Sequence, residues 1–340
     1  MSLQAETSKS GRKFKINHAF LLVLPSFLIV FVFVYIFILY TIGVSLSANW
    51  RPATQDFTPN EDLLKVYGSL FSNPRFQADI RNSLIFAALF LLFTVIGGFL
   101  LAVMVNNMMR SMAFFRGVFL LPYALSFIVT GVVWRWIFNP EAGVNLLLYY
   151  SGVSPIYEGI TGSPLKPEWL TSGEVVGDIN VLLVQAFPQF EFIQTQLGIP
   201  LALIPVVMAS SWQLLGFSMA MYLAGLAAIP HEVKEASEVD GASGFRYIRS
   251  IAIPMLAPIT VTTLVILTHV AFKMFDLIYS MSGSGVGFAT DMPGIFVYES
   301  MYKALLFNQG AAASIVMLLI VLLIVVPYLV RTNRQRSQED

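Results

Sequence analysis

Five side chains near the end of one apolar segment are spaced for one face of a helix. They follow at intervals of three or four residues in TVTTLVILTHVAFKMFDLIYS, and they are Thr262, Ile266, His269, Lys273 and Asp276. Positions three and four apart lie on the same side of a helix. Polar groups on a membrane helix face other protein or a water-filled path. The stripe therefore predicts a polar lining for a solute, or a local ion pair between Lys273 and Asp276.

A second apolar segment, LALIPVVMASSWQLLGFSMAMYLAGLAAIP, carries a smaller polar face. Ser210, Gln213 and Phe217 are again three and four residues apart. A carbohydrate needs hydrogen-bonding partners for its hydroxyls and a ring on which its C–H faces can stack, so this set suits one. Serine and glutamine in membrane helices also bond to neighbouring helices. Both interpretations stay open at this level.

A polar stretch, EVKEASEVDGASGFRYIRSIAIPML at 232–256, interrupts the apolar sequence. Pro230 ends the preceding helix because proline cannot donate into a continuing helix. The next residues favour a short helix, a turn at Asp240–Gly241, and a second helix that re-enters the apolar part near Pro254. No residue set here suits catalysis. A short amphipathic helix suits the groove of a partner protein, and a solvated loop is the alternative.

Composition places these segments in a membrane. The 340 residues are 56% hydrophobic and 12% charged, with mean hydropathy +0.73 and no cysteine. Disulfides, thiolate metal sites and cysteine nucleophiles are therefore excluded. There is no G-x-x-x-x-G-K-[ST] loop, no G-x-S-x-G elbow and no metal spacing among the three histidines. We predict a chain that is not an enzyme and whose energy comes from another subunit or an ion gradient.

Six charge-poor windows are long enough to cross the bilayer as helices. The windows are 16–50, 82–109, 117–134, 192–231, 250–272 and 304–330. They lack the alternation that barrel strands would show. The predicted fold is an all-α polytopic membrane protein with six transmembrane helices.

Charge sets the predicted orientation. Lysine and arginine concentrate in the tail 1–17, around 110–116, in 234–249 and in 331–336, whereas acidic residues concentrate in 51–81, 135–191 and 276–303. Basic loops stay on the cytoplasmic side. We therefore predict an integral protein of the cell membrane with both termini cytoplasmic. An extracytoplasmic insertion of about 140–200 should lie between helices 3 and 4. Its aromatic residues are favoured at the headgroup level, and a dedicated recognition surface is the alternative; they are Tyr149, Tyr150, Tyr157 and Trp169.

The polar stretch resembles the coupling motif of ABC-importer permeases. That motif reads Glu-Ala-Ala, three residues, Gly, nine residues, Ile, two residues, Pro. With serine for the second alanine, and with Asp240 completing the turn, the matching residues are Glu235, Ala236, Ser237, Gly241, Ile251 and Pro254. Serine is small, so close approach to a partner is expected to survive.

Two further segments are similar to carbohydrate-uptake permeases of the branch that supplies the first of two non-identical membrane subunits. Residues 116–143 resemble their third-span region, and residues 275–302 resemble the connection of the last two spans, particularly in glucose/mannose-type members. That family shows a Gly-Gly-Gly-Pro run where this chain has SGSGV at 282–286. The similar regions together cover roughly 82–330.

The resemblance implies half of a type I importer. It divides the chain into a cytoplasmic tail 1–17, a permease domain 18–331 with a coupling loop at 230–254, and a cytoplasmic tail 332–340. The implied partners are a second, non-identical permease, two cytoplasmic ABC ATPase subunits that hold ATP and Mg, an extracytoplasmic sugar-binding protein, membrane lipid and a sugar. No cofactor is expected on this chain, and no nucleic acid.

The resemblance also implies positions for the solute. Matching to maltose-type relatives points to Thr130, Ser210, Gln213, Phe217 and Lys273, and the polar stripe adds His269 and Asp276. Two other functions stay open. A stand-alone secondary transporter or channel could use Lys273 and Asp276 as an ion relay, although clear inverted repeats are lacking. A membrane-anchored scaffold is the third possibility.

Overall fold

The computed structural model describes residues 18–107 and 112–339. In this part of the chain, four helices are long and apolar enough to cross a membrane, and the number rises to six if each of two bent helix pairs is one span. The predicted all-α membrane fold with six spans agrees with the second count. The basic tail 1–17, Arg110 and the last residue, Asp340, lie outside the described residues.

The helices are joined by connections of varied length, and the longest of these are residues 47–64 and 162–179. In chain order they are α1 (His18–Val30), a π-helical turn (Phe31–Ile36), α2 (Phe37–Leu46), α3 (Lys65–Phe71), α4 (Pro74–Asn106), α5 (Met112–Leu120), α6 (Phe127–Ile137), α7 (Val144–Tyr150), α8 (Val153–Thr161), α9 (Asn180–Ala186), α10 (Leu203–Ala227), α11 (His231–Val239), α12 (Phe245–Tyr247), a second π-helical turn (Ile248–Ala252), α13 (Ile253–Met255), α14 (Ala257–Lys273), α15 (Asp276–Met281), α16 (Pro293–Tyr298) and α17 (Phe307–Glu339). The last helix continues through the predicted tail.

α4 and α10 form the centre of the fold. Gly97 and Gly98 of α4 lie against α10, and a Cβ on Gly98 would collide with the side chain of Ser218. Small residues let membrane helices approach this closely. Phe86 and Phe90 of α4 pack in one cluster with Leu203 of α10, and all three are fully buried.

Two of the six spans are bent. Helical segments 113–124 and 127–137 meet at 96°. Pro122 opens a single 3₁₀ turn there, and Leu125 and Ser126 are extended. Segments 245–255 and 257–273 meet at 65° between Pro254 and Pro258. Proline removes a helix hydrogen bond, so bends at these positions have a local cause. The windows predicted the two spans but not their bends.

The polar stripe is split between two helices. α14 ends at Lys273, and Met274 leaves the helix with φ −73° and ψ 92°. Asp276 is the first residue of α15. The prediction that Asp276 continues the same helix face is therefore wrong. A change of ψ at one residue is invisible to a spacing rule that assumes an unbroken helix.

The long helix α4 separates two ends of the molecule. Its 33 residues span about 50 Å. Its C-terminal end lies beside α11, and this region is called the coupling end. Its N-terminal end contacts residues 192–196, and this region is called the insertion end. The insertion itself holds α7, α8 and α9, and a two-stranded antiparallel sheet of β1 (Val175–Val176) and β2 (Ile199–Pro200). The coupling loop and the insertion thus lie at opposite ends of α4.

Gly216 permits the bent pair α5–α6 to pack against α10. A Cβ at this position would collide with the backbone carbonyl of Phe119. We expect Gly216→Ala to destabilise the protein by about 1–3 kcal/mol, because the obstructing atoms belong to backbone and cannot rotate away. The matched control is Gly117→Ala on α5, where a Cβ meets no atom within 4 Å. It should be neutral or slightly stabilising, because alanine favours helix. Thermal unfolding of the two purified variants in detergent tests the difference, and equal melting temperatures would contradict it.

Candidate functional site

The α10 face predicted from spacing packs against the bend between α5 and α6. Gln213 donates from Nε2 to the carbonyl of Leu125 at 2.8 Å. Phe217 stacks on Tyr123, with ring centroids 5.5 Å apart. The hydroxyl of Ser210, one turn earlier, donates to the carbonyl of Val206 in its own helix at 2.7 Å. Ser210 and Gln213 are both buried. This face therefore presents its amide and its ring to the extended residues of the bend.

Three residues of the polar stripe line a cavity of about 260 Å³ at the junction of α14 and α15. His269, Lys273 and Asp276 share its wall with Phe127, the first residue of α6. The described ion pairs do not include one between Lys273 and Asp276. The break after Lys273 thus brings a cation, a carboxylate and an imidazole to one cavity without pairing the two charges, and the predicted local ion pair is absent there.

Thr130 is the predicted pathway residue on α6. It lies three residues after Phe127 on α6 and is buried. Its neighbour Gly131 is so close to α15 that a Cβ would collide with the side chain of Ser280. The Thr130 hydroxyl and the Gln213 Oε1 have no hydrogen-bond partner in the described part of the chain. The seven predicted residues therefore lie on α6, α10 and the α14–α15 junction, the elements that adjoin the bend, and two of them keep unused hydrogen-bonding capacity.

A further cavity, of about 750 Å³, lies between α4, α6 and α10. Its lining includes Trp134, Trp212 and Met208, and Ser211 is the polar side chain among the lining residues. A hydroxylated solute needs several hydrogen bonds in a buried site. This cavity therefore offers too few polar groups to bind a hydroxylated solute.

The polar stretch forms the predicted helix, turn and helix. α11 ends at Val239, and Gly241, two residues later, has φ +72°. The N–H of Gly241 bonds to the carbonyl of Glu238 at 3.1 Å, and the N–H of Ala242 bonds to that of Ser237 at 2.8 Å. These two bonds form a Schellman motif, which favours glycine at the left-handed position. A Cβ on Gly241 would meet no atom within 4 Å. Glycine is therefore required for its backbone conformation and not for space.

Serine in place of the second alanine is accommodated within the helix. The side chain of Ser237 is buried, and its hydroxyl donates to the carbonyl of Lys234 at 2.6 Å. Since this bond satisfies the extra hydroxyl, the substitution leaves no unpaired polar group. Ser237 lines a cavity of about 340 Å³ between the coupling loop and the ends of α4 and α10, which also includes Asn106 and Leu226.

The outward side of the coupling loop carries exposed apolar residues beside charged ones. Val239 is 88% exposed and Phe245 is 76% exposed. Glu235 contacts His231 at 3.1 Å on the same exposed surface. Of the other predicted coupling residues, Ala236, Asp240, Gly241 and Pro254 are exposed and Ile251 is half-buried. Exposed apolar groups next to a ring of charges are typical of a protein-docking surface.

Sequence reasoning missed a buried charge cluster at the insertion end. Arg75 joins two carboxylates, with Nε to Asp291 Oδ2 at 2.6 Å and a terminal nitrogen to Glu299 Oε2 at 2.6 Å. Lys303 pairs with Glu299 at 2.8 Å. The Arg75 guanidinium also lies 5.0 Å from the ring centroid of Phe288. The cluster ties the start of α4 to the segment between α15 and α17.

Asp79 and Asn82 extend this cluster inward. Asn82 donates to the carbonyls of Phe288 and Asp291 at 2.8 and 2.9 Å. The carboxyl group of Asp79 is fully buried, and neither of its oxygens has a hydrogen-bond partner in the described part of the chain. Arg75 and Asp79 are four residues apart, which puts both on one helix face just before the second charge-poor window. That spacing was the sequence signal that could have revealed the cluster.

The environment shifts the titration of the cluster's acids. Burial raises the pKa of Asp291, and its contacts with Arg75 limit the rise. Burial acts in the same direction on Glu299, but hydrogen bonds from Lys303 and Arg75 outweigh it and lower the pKa of that carboxyl. The hydrogen bond to Glu299 raises the pKa of Lys303. Glu299 is therefore held ionised between two cations, whereas Asp291 is held in a less polar environment.

Comparison with known proteins adds an independent line of information. Residues 113–338 match the family model described as a binding-protein-dependent transport system inner membrane component. A probable ABC transporter permease protein of Pyrococcus horikoshii is 28% identical over 91% of this chain and 93% of its own length. A trehalose/maltose transport system permease protein of Thermococcus litoralis is 27% identical over 91% of this chain and 92% of its own length.

A solved structure shares the fold. It is a chain of a bacterial ABC transporter involved in the import of the acidic polysaccharide alginate. The TM-score is 0.70 at 19% identity, and the match covers 93% of this chain and 95% of the other. At that identity the likeness concerns the fold alone.

Proposed function

The chain belongs to the family of binding-protein-dependent transport system inner membrane components, and we propose that it forms half of the passage of an ATP-driven sugar importer. The family and the fold make it a permease subunit with membrane-spanning helices. The proposal adds the solute and the partners. These are a sugar, a second permease, two cytoplasmic ATPase subunits that bind ATP and Mg, and an extracytoplasmic sugar-binding protein.

The observation that carries the sugar proposal is the arrangement around the bend of α5 and α6. Gln213 and Thr130 retain unused oxygens, and Phe217 with Tyr123 supplies stacked rings. The nearby cavity adds His269, Lys273 and Asp276. Hydroxyl groups need such donors and acceptors, and sugar C–H faces need aromatic surfaces. The trehalose/maltose permease of Thermococcus litoralis, similar over nearly its whole length, supports the same solute class.

The coupling loop supplies the link to ATP. In the proposed mechanism, Val239 and Phe245 bind a groove of an ATPase subunit, and the exposed charges around them set the register. Closure of the ATPase pair on ATP moves α11. The capped helix end at Gly241 passes this motion to α14, and the residues around the 340 Å³ cavity that α11 shares with the ends of α4 and α10 pass it to the centre of the bundle. The passage then alternates between outward and inward access.

Uptake measurements test the solute site. We expect Gln213→Ala and Phe217→Ala each to reduce uptake of labelled sugar by roughly tenfold, because each removes a contact of about 1–2 kcal/mol with the solute. The assay uses vesicles that hold the assembled importer with its binding protein. Met208→Ala is the matched control, because Met208 lies on the same helix, is 47% exposed and lines the apolar cavity instead. Unchanged uptake by the two site variants would remove these residues from the site.

The same assay separates the alternative function. A stand-alone transporter or channel would move the sugar without ATP and without the ATPase subunits. Uptake that depends on both supports the importer, and uptake that persists in their absence contradicts it. An assay with the ATPase present but the binding protein omitted then tests the remaining partner.

A further inference from the structure

In the hairpin of α7 and α8 in the insertion, two polar side chains are buried and eight large apolar side chains are exposed. Asn145 and Ser154 are 7% and 5% exposed. In contrast, Ile156 is 65% exposed and Ile160 is 79% exposed. The other exposed apolar residues of the two helices are Leu146, Leu147, Tyr149, Tyr150, Val153 and Tyr157. A helix pair in water shows the opposite arrangement.

Hydrogen bonds hold the hairpin in this orientation. Asn145 donates to the carbonyls of Pro140 and Pro167 at 2.9 and 3.2 Å, and its Oδ1 accepts from Trp169 Nε1 at 2.8 Å. Ser154 donates to the carbonyl of Leu165 at 3.2 Å. The ring of Trp169 in turn lies against Phe138, with centroids 5.4 Å apart. Since the polar groups are used internally, the apolar side cannot turn inward without breaking them.

The hairpin starts where a membrane span ends. Six residues, 138–143, separate the end of α6 from the start of α7, and a Cβ on Gly143 would collide with the carbonyl of Ile137. The side of α6 that leads to this point exposes apolar residues to the surroundings, including Val132 at 55% and Trp136 at 65%. The apolar side of the hairpin thus follows closely in the chain on an exposed apolar stretch of a membrane span.

Charge on the hairpin favours a lipid interface over an electrostatic contact. Glu158 is the single charged residue between 142 and 165. It lies two positions from both Ile156 and Ile160, which places it on the other side of the helix. Three tyrosines have the amphipathic character of residues found at headgroup level. No lysine or arginine is present there to attract anionic lipids.

We propose that α7 and α8 form an interfacial hairpin that lies on the bilayer surface at the insertion end, with its apolar side in the headgroup–acyl boundary. The occupant of this face is neutral or zwitterionic lipid. Insertion of the hairpin holds the first half of the 140–200 segment at a set height above the spans. Trp169 belongs to the internal support of this hairpin and not to its lipid-facing side.

The absence of cysteine makes a direct test possible. Single variants Ile156→Cys and Ile160→Cys carry a nitroxide label on the apolar side, and Leu147→Cys repeats the test on α7. Ser163→Cys is the control, because Ser163 is exposed just beyond α8. The intact importer is reconstituted in phosphatidylcholine nanodiscs, and collision rates with oxygen and with a water-soluble nickel complex are measured. We expect the first three labels at a depth of about 5–10 Å into the boundary, and the control in water.

Two outcomes would overturn the proposal. If the labels on α7 and α8 collide with the nickel complex as often as the control does, the hairpin faces water. If the labels are shielded from both oxygen and the nickel complex, a protein covers this face. Higher collision rates after removal of the binding protein would identify the binding protein as the one that covers it. These readouts do not involve sugar uptake, so failure here is distinguishable from failure of the proposed function.

Discussion

Replacing Arg75 with alanine is expected to lower the free energy of unfolding by about 3–5 kcal/mol, because it leaves a buried carboxylate without its cation. Asp291 is fully buried, and Arg75 is its ion-pair partner among the described residues. The same guanidinium holds Glu299 and lies over the rings of Phe288 and Phe296. Removing it therefore breaks two ion pairs and leaves a charge in an apolar environment. Chemical unfolding of the purified variant in detergent measures the loss.

A matched ion pair controls for the general effect of removing a cation. Lys166 and Glu141 are also 2.6 Å apart, but their side chains are 50% and 79% exposed. Lys166→Ala should therefore cost no more than about 1 kcal/mol. Adding Asp291→Asn to Arg75→Ala should recover part of the loss, since the buried charge is then gone. An Arg75→Ala loss as small as that of Lys166→Ala would contradict the assigned role.

The Arg75→Ala loss should also depend on pH. Burial raises the pKa of Asp291, and Arg75 limits that rise. Without Arg75, the pKa rises further above its value in the unfolded chain. A carboxyl whose folded pKa is raised contributes stability that is present below the unfolded pKa and is lost as pH rises through the folded pKa. The loss should therefore be smaller at acidic pH and larger near neutral pH. The other ionisable groups of the cluster are Asp79, Glu299 and Lys303.

Placing a charge on the exposed apolar residues of the coupling loop is expected to have the largest effect on transport. Val239→Asp and Phe245→Asp should each weaken binding of the ATPase subunit at least about tenfold, since burying such a side chain contributes about 1.5–3 kcal/mol and a charge adds a desolvation cost. ATP-dependent uptake should fall with it. Co-purification of the ATPase subunit and uptake by reconstituted vesicles are the two measurements.

The control for this prediction lies at the other end of the molecule. Val181 on α9 is 67% exposed and belongs to the insertion. Val181→Asp should leave ATPase binding unchanged. Because Val239 and Phe245 make little contact within the chain, their variants should also keep the melting temperature of the parent protein. Normal ATPase binding by both coupling variants would show that the docking surface lies elsewhere.

Much of the fold could be predicted because a bilayer imposes simple rules on a sequence. Charge-free windows of sufficient length marked the positions of all six spans. The sequence also revealed the coupling loop, because a cluster of charged residues within an apolar sequence must lie outside the hydrocarbon of the bilayer. Its glycine turn followed from Asp240–Gly241, and the structure shows the positive φ that this turn requires. These features depend on local composition, which one sequence displays directly.

The sequence predicted which side chains of the candidate site share a helix face, but not where in the fold those faces meet. Helical spacing correctly put Ser210, Gln213 and Phe217 on one side of α10. It did not show that this side meets the bend after α5, nor that Asp276 starts a new helix. It offered Lys273 and Asp276 as a pair, whereas the structure places both on a cavity wall without an ion pair. Bends and breaks arise at single residues, and spacing rules average over them.

The sequence by itself determined the helical membrane class, the six spans and the polar loop, because each follows from hydrophobicity and charge along the chain. Only the tertiary structure determined which residues that are far apart in the chain come into contact. Arg75 and Glu299 are 224 positions apart and form one ion pair. Asn145 and Ser154 turn inward and leave eight apolar residues outside. Contacts of this kind depend on how helices pack and on the angle of each bend, and neither quantity can be read from one segment of the amino-acid sequence.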